Sequence, residues 1–186
     1  MIIERSASIF NTKGIAATSM SDLMKVTQLS KGSLYKHFEN KEILAERVVD
    51  YNLKLLTDAV ISAVSKKVNP KDKLIAYIKV FRNPLGQPVP GGCPMMNFGV
   101  EADDLNEVVR KKVAKAVTFS QELVIDICKE GIAQGIFKPE WDYKTFAVLA
   151  FSLIEGGTLM SRINGKNDNM ITVCKHLEQM IAEQEI

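Results

Sequence analysis

A chain of 186 residues that is 46% hydrophobic and 25% charged has the composition of a soluble globular protein, which excludes a disordered one. The longest strongly apolar run, Phe146 to Ile154, is shorter than the roughly 18 residues of a membrane-spanning helix, and no signal-peptide pattern is present, so we expect a cytoplasmic protein with no membrane partner. The widely separated Cys93, Cys128 and Cys174 and the two histidines predict no disulfide framework, metal site, cofactor or catalytic triad.

The net charge is small but unevenly distributed. The whole chain carries +2, whereas residues 1–41 carry six basic against three acidic side chains, which is +3. Nucleic-acid affinity scales with the number of phosphates that are neutralised locally rather than with total charge. The N-terminal end is therefore the part that we expect to contact nucleic acid.

Apolar residues recur at three- and four-residue steps along the chain, which predicts an all-α protein of about nine helices. The first helix is expected at residues 2–12, followed by a second from a Ser19-x-x-Asp22 capping box to Val26. Ser30 should cap a third helix to about His37, and Asn40 a fourth of about twenty residues, long enough to join two domains mechanically.

The rest of the chain continues the helical pattern after one irregular stretch. A fifth helix should begin at Asn69-Pro70, and the proline- and glycine-rich residues 84–94 predict a loop. Three further helices are expected at residues 95–102, from an Asp104-x-x-Glu107 capping box to about residue 134, and from an Asp142 cap to residue 160. A last helix, capped by Asp168, should run from residue 170 to about residue 183.

Two short capped helices behind a supporting helix predict a helix-turn-helix, whose second helix enters the DNA major groove. In that helix, Leu34 and Phe38 should face inward while small, hydroxyl and basic side chains face DNA. Free N–H groups at Thr18/Ser19 and at Lys41 are expected to bind phosphate. The candidate DNA-binding residues are Thr18, Ser19, Lys31, Gly32, Ser33, Tyr35, Lys36, His37 and Lys41.

The residues that carry this motif resemble the N-terminal segment of TetR-family (TetR/AcrR-like) transcriptional regulators. The matching segments are Ile9-Phe10, Lys13-Gly14, residues 18–23 and residues 30–44. The resemblance implies a DNA-binding domain at residues 1–45 and a helical ligand-sensing and dimerisation domain at residues 46–186. It also implies phosphate contacts by Thr18, Tyr35, His37 and Lys41, with Lys31, Ser33 and Lys36 nearest the bases.

The sequence departs from the family pattern at two places. Gln28 stands where the turn usually has glycine, so this residue must either adopt a left-handed backbone at some cost or form a different turn. The chain also begins almost inside its first helix, whereas the family generally has a basic extension there. We expect that difference to weaken phosphate binding without abolishing the fold.

The C-terminal helices have the composition of a dimer interface. The helix at residues 146–154 is apolar all round, and Gly156-Gly157 would allow another helix to approach closely. With the last helix it suits a four-helix interface across a two-fold axis, as the resemblance also implies, and a purely intrachain core is the alternative. The expected interface residues are Phe146, Ala150, Leu153, Gly157, Ile171, Cys174, Leu177 and Ile181.

The resemblance further implies an effector pocket between the helices of roughly residues 70 to 160. Aromatic and methionine side chains there suit an apolar or aromatic small molecule, although plain core packing is the alternative. Residues 91–97 would form either a pocket wall or a hinge. The candidate ligand-binding residues are Tyr77, Phe81, Met95, Met96, Phe98, Phe119, Phe151 and Met160.

We therefore expect a homodimeric, non-enzymatic repressor that binds double-stranded operator DNA and releases it when a small-molecule effector shifts the fourth helix. One alternative is a helical small-molecule-binding protein or enzyme subunit that does not bind DNA. Another is an activator, or a thiol-responsive regulator that switches through Cys93, whose thiolate the dipole of the following helix would stabilise.

Overall fold

The computed structural model describes residues 1–87 and 89–186; Pro88, within the predicted loop, lies outside the described residues. The described residues form nine α-helices and one 3-10 turn, with an isolated bridge between Phe137 and Glu185 as their only β pairing. The all-α prediction is confirmed. The helices are α1 (Ile2–Lys13), α2 (Met20–Thr27), α3 (Lys31–Tyr35), α4 (Lys41–Ser65), α5 (Pro70–Val80), α6 (Pro94–Ala102), α7 (Glu107–Ala133), α8 (Tyr143–Asn164) and α9 (Asp168–Ala182), and the 3-10 turn is Pro84–Gly86.

Five of the predicted helix starts are stabilised by the side chains that the sequence indicated. Each cap oxygen accepts a backbone N–H that has no partner within its helix, which is why polar residues recur at these positions. The donors and acceptors are Asp22 N to Ser19 Oγ (3.1 Å), Ser33 N to Ser30 Oγ (3.1 Å), Ile43 N to Asn40 Oδ1 (2.8 Å), Lys71 N to Asn69 Oδ1 (2.8 Å) and Thr145 N to Asp142 Oδ1 (3.2 Å).

Two predicted caps are wrong. The helix expected to open with an Asp104 capping box begins later, because Asn106 Oδ1 accepts the N–H of Val109 at 3.0 Å. Asp168 is the first residue of α9 rather than its cap, and Asn167 precedes it. In the first place the cap is an asparagine two residues after the aspartate, and in the second it is the asparagine directly before it, whose side chain makes no cap hydrogen bond. Asparagine and aspartate have similar preference for the cap position.

Gln28 adopts the left-handed backbone that was one of the two expected outcomes. Its φ and ψ are 60° and 32°, and it is the only non-glycine with positive φ among the described residues. Its backbone N–H donates to the carbonyl of Met24 at 2.9 Å and its side-chain amide to that of Lys25 at 2.7 Å. These bonds terminate α2 and offset part of the conformational cost.

The chain divides into two compact units. The first comprises Met1–Leu56 and the described residues of Pro88–Ala116, and the second comprises Thr57–Gln87 and Val117–Ile186. The first therefore includes α6, which lies far along the sequence from α1 and packs against it. The predicted boundary between residues 45 and 46 stays a prediction.

Each unit has its own apolar core. Phe10, Leu23 and Val48 are completely buried in the first unit. In the second, α8 packs along α9, with Ile154, Met170 and Leu177 buried. By length and apolarity alone α8 could span a bilayer, and 44% of its apolar window is buried within the protein.

Candidate DNA-binding interface

Helix α3 presents a polar, basic surface from a buried anchor. Leu34 is 2% exposed and fixes the helix on the first unit, while Phe38 beyond its end is half-buried. The Lys31 ammonium lies 5.9 Å from the centroid of the Tyr35 ring, a cation–π contact on the outer face. The candidate residues that lie exposed on this segment are Lys31, Gly32, Tyr35, Lys36 and His37, and Ser33 is half-buried.

No described residue packs against the position that a side chain at Gly32 would occupy. A Cβ placed there would meet no described atom within 4 Å. The absence of a side chain leaves room for close approach of an outside molecule to the backbone. This agrees with the predicted role of Gly32 at the DNA surface, which stays a prediction.

The turn between α1 and α2 is bound by the carboxylate of Glu101, a residue that the sequence analysis missed. Glu101 Oε2 accepts the N–H of Ile15 at 2.7 Å, and Oε1 accepts that of Ala16 at 2.6 Å. Gly14 has φ +83°, and a Cβ there would lie 2.8 Å from Glu101 Oε2. Glycine is therefore needed at this position both for its backbone and for the approach of the carboxylate.

Lys41 binds the carbonyl groups of the same turn. Its ammonium donates to Ile15 O at 3.0 Å, Ala16 O at 3.4 Å and Thr18 O at 3.2 Å. An ammonium has three N–H donors, so all of them are engaged within the protein. The Lys41 ammonium therefore has no remaining N–H donor for a phosphate, and the predicted phosphate contact would depend on its charge and on the backbone N–H.

The start of α2 differs from the prediction in the same way. Thr18 is completely buried and its hydroxyl donates to Gly14 O at 2.6 Å, so the predicted phosphate contact of this side chain is wrong. The Ser19 N–H, expected to bind phosphate, donates instead to Asp22 Oδ2 at 2.9 Å. The protein's own carboxylate occupies that anion site, because the reciprocal capping box forms.

Asp22 is the most strongly perturbed carboxyl of this interface. The hydrogen bond from Lys13, at 2.7 Å, followed by those from the backbone and hydroxyl of Ser19, holds the pKa of Asp22 well below its usual range. The three donors favour the charged form of the carboxylate. At neutral pH the capping box is therefore built on an ionised Asp22.

Comparison with known proteins identifies this arrangement. The family model described as "Bacterial regulatory proteins, tetR family" matches residues 2–48, and the model "Tetracyclin repressor-like, C-terminal domain" matches residues 70–177. The chain belongs to the TetR family.

Individual TetR-family proteins support the assignment over different lengths. The repressor DhaR of Mycobacterium sp. (strain GP1) is 28% identical over 61% of this chain, a match that spans 57% of DhaR. A TetR-family regulator from Cytophaga hutchinsonii is 34% identical, with a TM-score of 0.91 over 100% of this chain and 93% of its own. A cysteine mutant of the regulator CifR, crystallised with 26-bp operator DNA, has 16% identity and a TM-score of 0.84 over 96% of this chain and 93% of its own.

The dimer-interface residues predicted for this TetR-family chain mostly face inward. Phe146, Ala150, Gly157, Cys174, Leu177 and Ile181 are buried in the protomer's own core, and Leu153 and Ile171 are half-buried. A residue already covered by its own protomer has no surface to offer a partner, so the six buried assignments are wrong. The apolar exposed residues of α8 are instead Val148, Leu149, Leu159, Met160 and Ile163.

The predicted effector residues divide between the two units. Met95, Met96 and Phe98 belong to the first unit, and Tyr77, Phe81, Phe119, Phe151 and Met160 to the second. Phe119 and Met160 are 38% and 47% exposed, so neither is the enclosed pocket wall that was expected. In the second unit the buried Tyr77 packs edge-on against Phe81 and its hydroxyl lies 2.7 Å from Ser120 Oγ.

The cysteines lie inside the protein. Cys93, at the start of α6, is 6% exposed, and Cys128 and Cys174 are also buried. Burial raises the pKa of Cys128 to about 12, and burial is also the main cause of the raised pKa of Cys174. No group of three metal-ligating side chains occurs within residues 1–87 and 89–186.

The perturbed Asp22 predicts a specific pH dependence. A carboxyl whose pKa is lowered on folding contributes stability that is present above its unfolded value of about 3.9 and is lost as pH falls toward the folded value. Asp22→Asn should therefore be less stable than wild type at pH 7, and the difference should narrow between pH 5 and pH 3. Urea unfolding of both proteins across this range measures it, with Asp104→Asn as the control. A difference that stays constant with pH would contradict the assignment.

Proposed function

We propose that this chain is a ligand-responsive transcriptional repressor that binds operator DNA as a homodimer through α3 and the residues that directly follow it. The observation that carries the proposal is a five-residue helix that is anchored by the buried Leu34, exposes Lys31 and Tyr35, and is followed directly by the exposed Lys36. Membership of the TetR family supports DNA binding, and the name of DhaR supports repression. The CifR complex with operator DNA supports duplex DNA as the partner.

DNA recognition by such a unit divides into phosphate contacts and base contacts. Phosphate contacts fix the register of the protein on the duplex, whereas side chains in the major groove read the sequence. We assign phosphate contacts to Tyr35 and His37 and base contacts to Lys31, Ser33 and Lys36. Two such helices about 34–36 Å apart would reach successive major grooves on one face of the duplex.

A homodimer is supported by the unpartnered face of α8. Val148, Ser152, Gly156, Leu159 and Ile163 recur at three- and four-residue steps, so they share one face of the helix. Ile163 is 75% exposed, and a Cβ at Gly156 would meet no described atom within 4 Å. A second copy of the same helix would bury these apolar side chains and could approach closely at Gly156.

An effector site is proposed inside the second unit, around Tyr77 and Phe81. Both side chains are buried and aromatic, and the Tyr77 hydroxyl and Ser120 supply polar groups beside them. An apolar or aromatic small molecule with a hydrogen-bonding group suits this chemistry. Helix α4 is continuous from the first unit into the second, so it is the proposed route by which binding affects the DNA-reading unit.

The other functions considered are less well supported. TetR-family regulators are soluble and generally non-enzymatic DNA-binding proteins, which supports a cytoplasmic, non-enzymatic role rather than that of a helical binding protein without DNA. Oxidation of Cys93 is disfavoured because reactive thiols are accessible and this one is buried.

DNA binding is tested with Lys31→Gln/Lys36→Gln. A random duplex library is first selected on wild type, and the enriched duplex serves as the probe. The double variant should bind this duplex more weakly, by roughly 1–3 kcal/mol for each base contact that is lost, and its preference for this duplex over the random library should fall. Lys66→Gln, an exposed lysine just beyond the end of α4, should leave affinity and preference unchanged. Failure of wild type to enrich any duplex would refute the proposed function.

The dimer surface is tested with Leu159→Arg. Burying an unpaired guanidinium in an apolar interface is strongly unfavourable, so sedimentation should show a monomer where wild type is a dimer. Ile61→Arg is the control, because Ile61 has a similar exposure, 44% against 47%, and lies on α4. A Leu159→Arg protein that remains dimeric would remove this face of α8 from the interface.

The effector site is tested by a thermal-shift screen of apolar and aromatic compounds against the wild-type protein. An effector should raise the unfolding temperature and release the selected duplex, because it binds the folded state. For each variant, the shift is measured from that variant's own ligand-free unfolding temperature. The shift caused by the effector should be smaller in Phe81→Leu than in wild type, whereas Phe119→Leu, at a partly exposed side chain, should show the wild-type shift. Equal shifts in both variants would place the site elsewhere.

A further inference from the structure

In the turn of residues 14–18, backbone N–H groups bind a carboxylate and backbone carbonyl groups bind an ammonium. Glu101 accepts the N–H groups of Ile15 and Ala16, and Lys41 donates to the carbonyl groups of Ile15, Ala16 and Thr18. Hydrogen bonds to ionised groups are shorter and stronger than those between neutral groups. The turn leads directly into α2, so its conformation sets where α2 begins.

Glu101 is itself held in place by the packing of α6 on α1. The side-chain amide of Asn97 donates to Asn11 O at 3.0 Å and to Gly91 O at 3.0 Å. The side-chain amide of the buried Asn11 in turn donates to Pro90 O at 2.9 Å and Gly92 O at 3.0 Å. These bonds fix α6 one helical turn before Glu101, so the carboxylate is positioned in advance for the turn.

We propose that Glu101 is a positioning residue for operator binding. Its carboxylate holds the turn between α1 and α2 in the conformation that presents the DNA-reading helices, without touching DNA. The inference rests on the proposed function, because it concerns the affinity for operator DNA. It also assigns a role to residues 89–102, which belong to the same compact unit as α1, α2 and α3 although they lie far from those helices in sequence.

The charge of Glu101 makes the inference testable, because loss of the charge and loss of the positioning contact should change the affinity for DNA in opposite directions. A carboxylate in a DNA-binding unit repels phosphate, so removal of its charge should by itself strengthen binding. Loss of a positioning contact should weaken binding instead. Asp104 provides the reference for charge alone, because it is exposed, lies three residues away and makes no side-chain hydrogen bond or ion pair with the described residues.

The experiment compares Glu101→Gln and Asp104→Asn for affinity toward the selected duplex. The amide of Glu101→Gln cannot accept both turn N–H groups, so binding should weaken by roughly tenfold, whereas Asp104→Asn should bind as tightly as wild type or more tightly. Hydrogen exchange at Ile15 and Ala16 should accelerate in Glu101→Gln alone. Equal unfolding midpoints would show that the affinity change is not global destabilisation.

The possible results separate this inference from the proposed function. Affinity of Glu101→Gln equal to or above that of Asp104→Asn, with unchanged exchange at Ile15 and Ala16, would overturn the positioning role while repression stands. Failure of wild type to enrich any duplex would overturn both. If Glu101→Gln lowers the unfolding midpoint, the variant Glu101→Asp separates the two explanations. A Glu101→Asp protein that partly recovers both slow hydrogen exchange at Ile15 and Ala16 and affinity for the duplex supports the positioning role. One that recovers only the unfolding midpoint refutes it.

Discussion

The shortness of α3 is the constraint on which the rest of the first unit depends. A helix of five residues is far below the length at which a helix is stable by itself in water, so tertiary contacts must hold it. Leu34 supplies the buried anchor and the Ser30 hydroxyl the N-terminal cap. The exposed Lys31 and Tyr35 contact each other and take no part in this anchoring, so they remain accessible to an outside partner.

A second consequence of short helices is that the connecting turns carry many unpaired backbone groups. Between α1 and α2 these groups are satisfied by side chains from elsewhere in the chain, namely Lys41 at the start of α4 and Glu101 near the end of α6. The DNA-reading unit is therefore completed by Glu101, a residue beyond the N-terminal segment that carries the family signature. Its conformation depends on a helix, α6, whose Glu101 follows Ile15 and Ala16 by 86 and 85 residues.

The helices and most of their caps were predictable from sequence because both depend on neighbouring residues. The two wrong caps, at Asp104 and Asp168, show the limit of that locality, since an asparagine with a similar preference for the position lies one or two residues from each. The Glu101 contact had no local signal, because its partners lie 86 and 85 residues away.

Helix faces were harder to predict than helix positions. Helix α8 is apolar on both sides, so periodicity identified the helix but did not distinguish its core face from its free face. The residues chosen for the interface, such as Phe146 and Ala150, are the core ones, and the exposed stripe contains the smaller Ser152 and Gly156. The same ambiguity placed the exposed Phe119 and Met160 in a buried pocket.

The opposite charges of Glu101 and Lys41 at the α1–α2 turn explain how a carboxylate is tolerated in a unit that must attract phosphate. Glu101 and Lys41 act on the same peptide groups with opposite charge, so their contributions to the field at a distance largely cancel. Asp22 is similarly paired with Lys13. Among the described residues, Lys31 on α3 and Lys36 beside it form no ion pair, so their charge remains available to attract phosphate to the proposed DNA-reading segment.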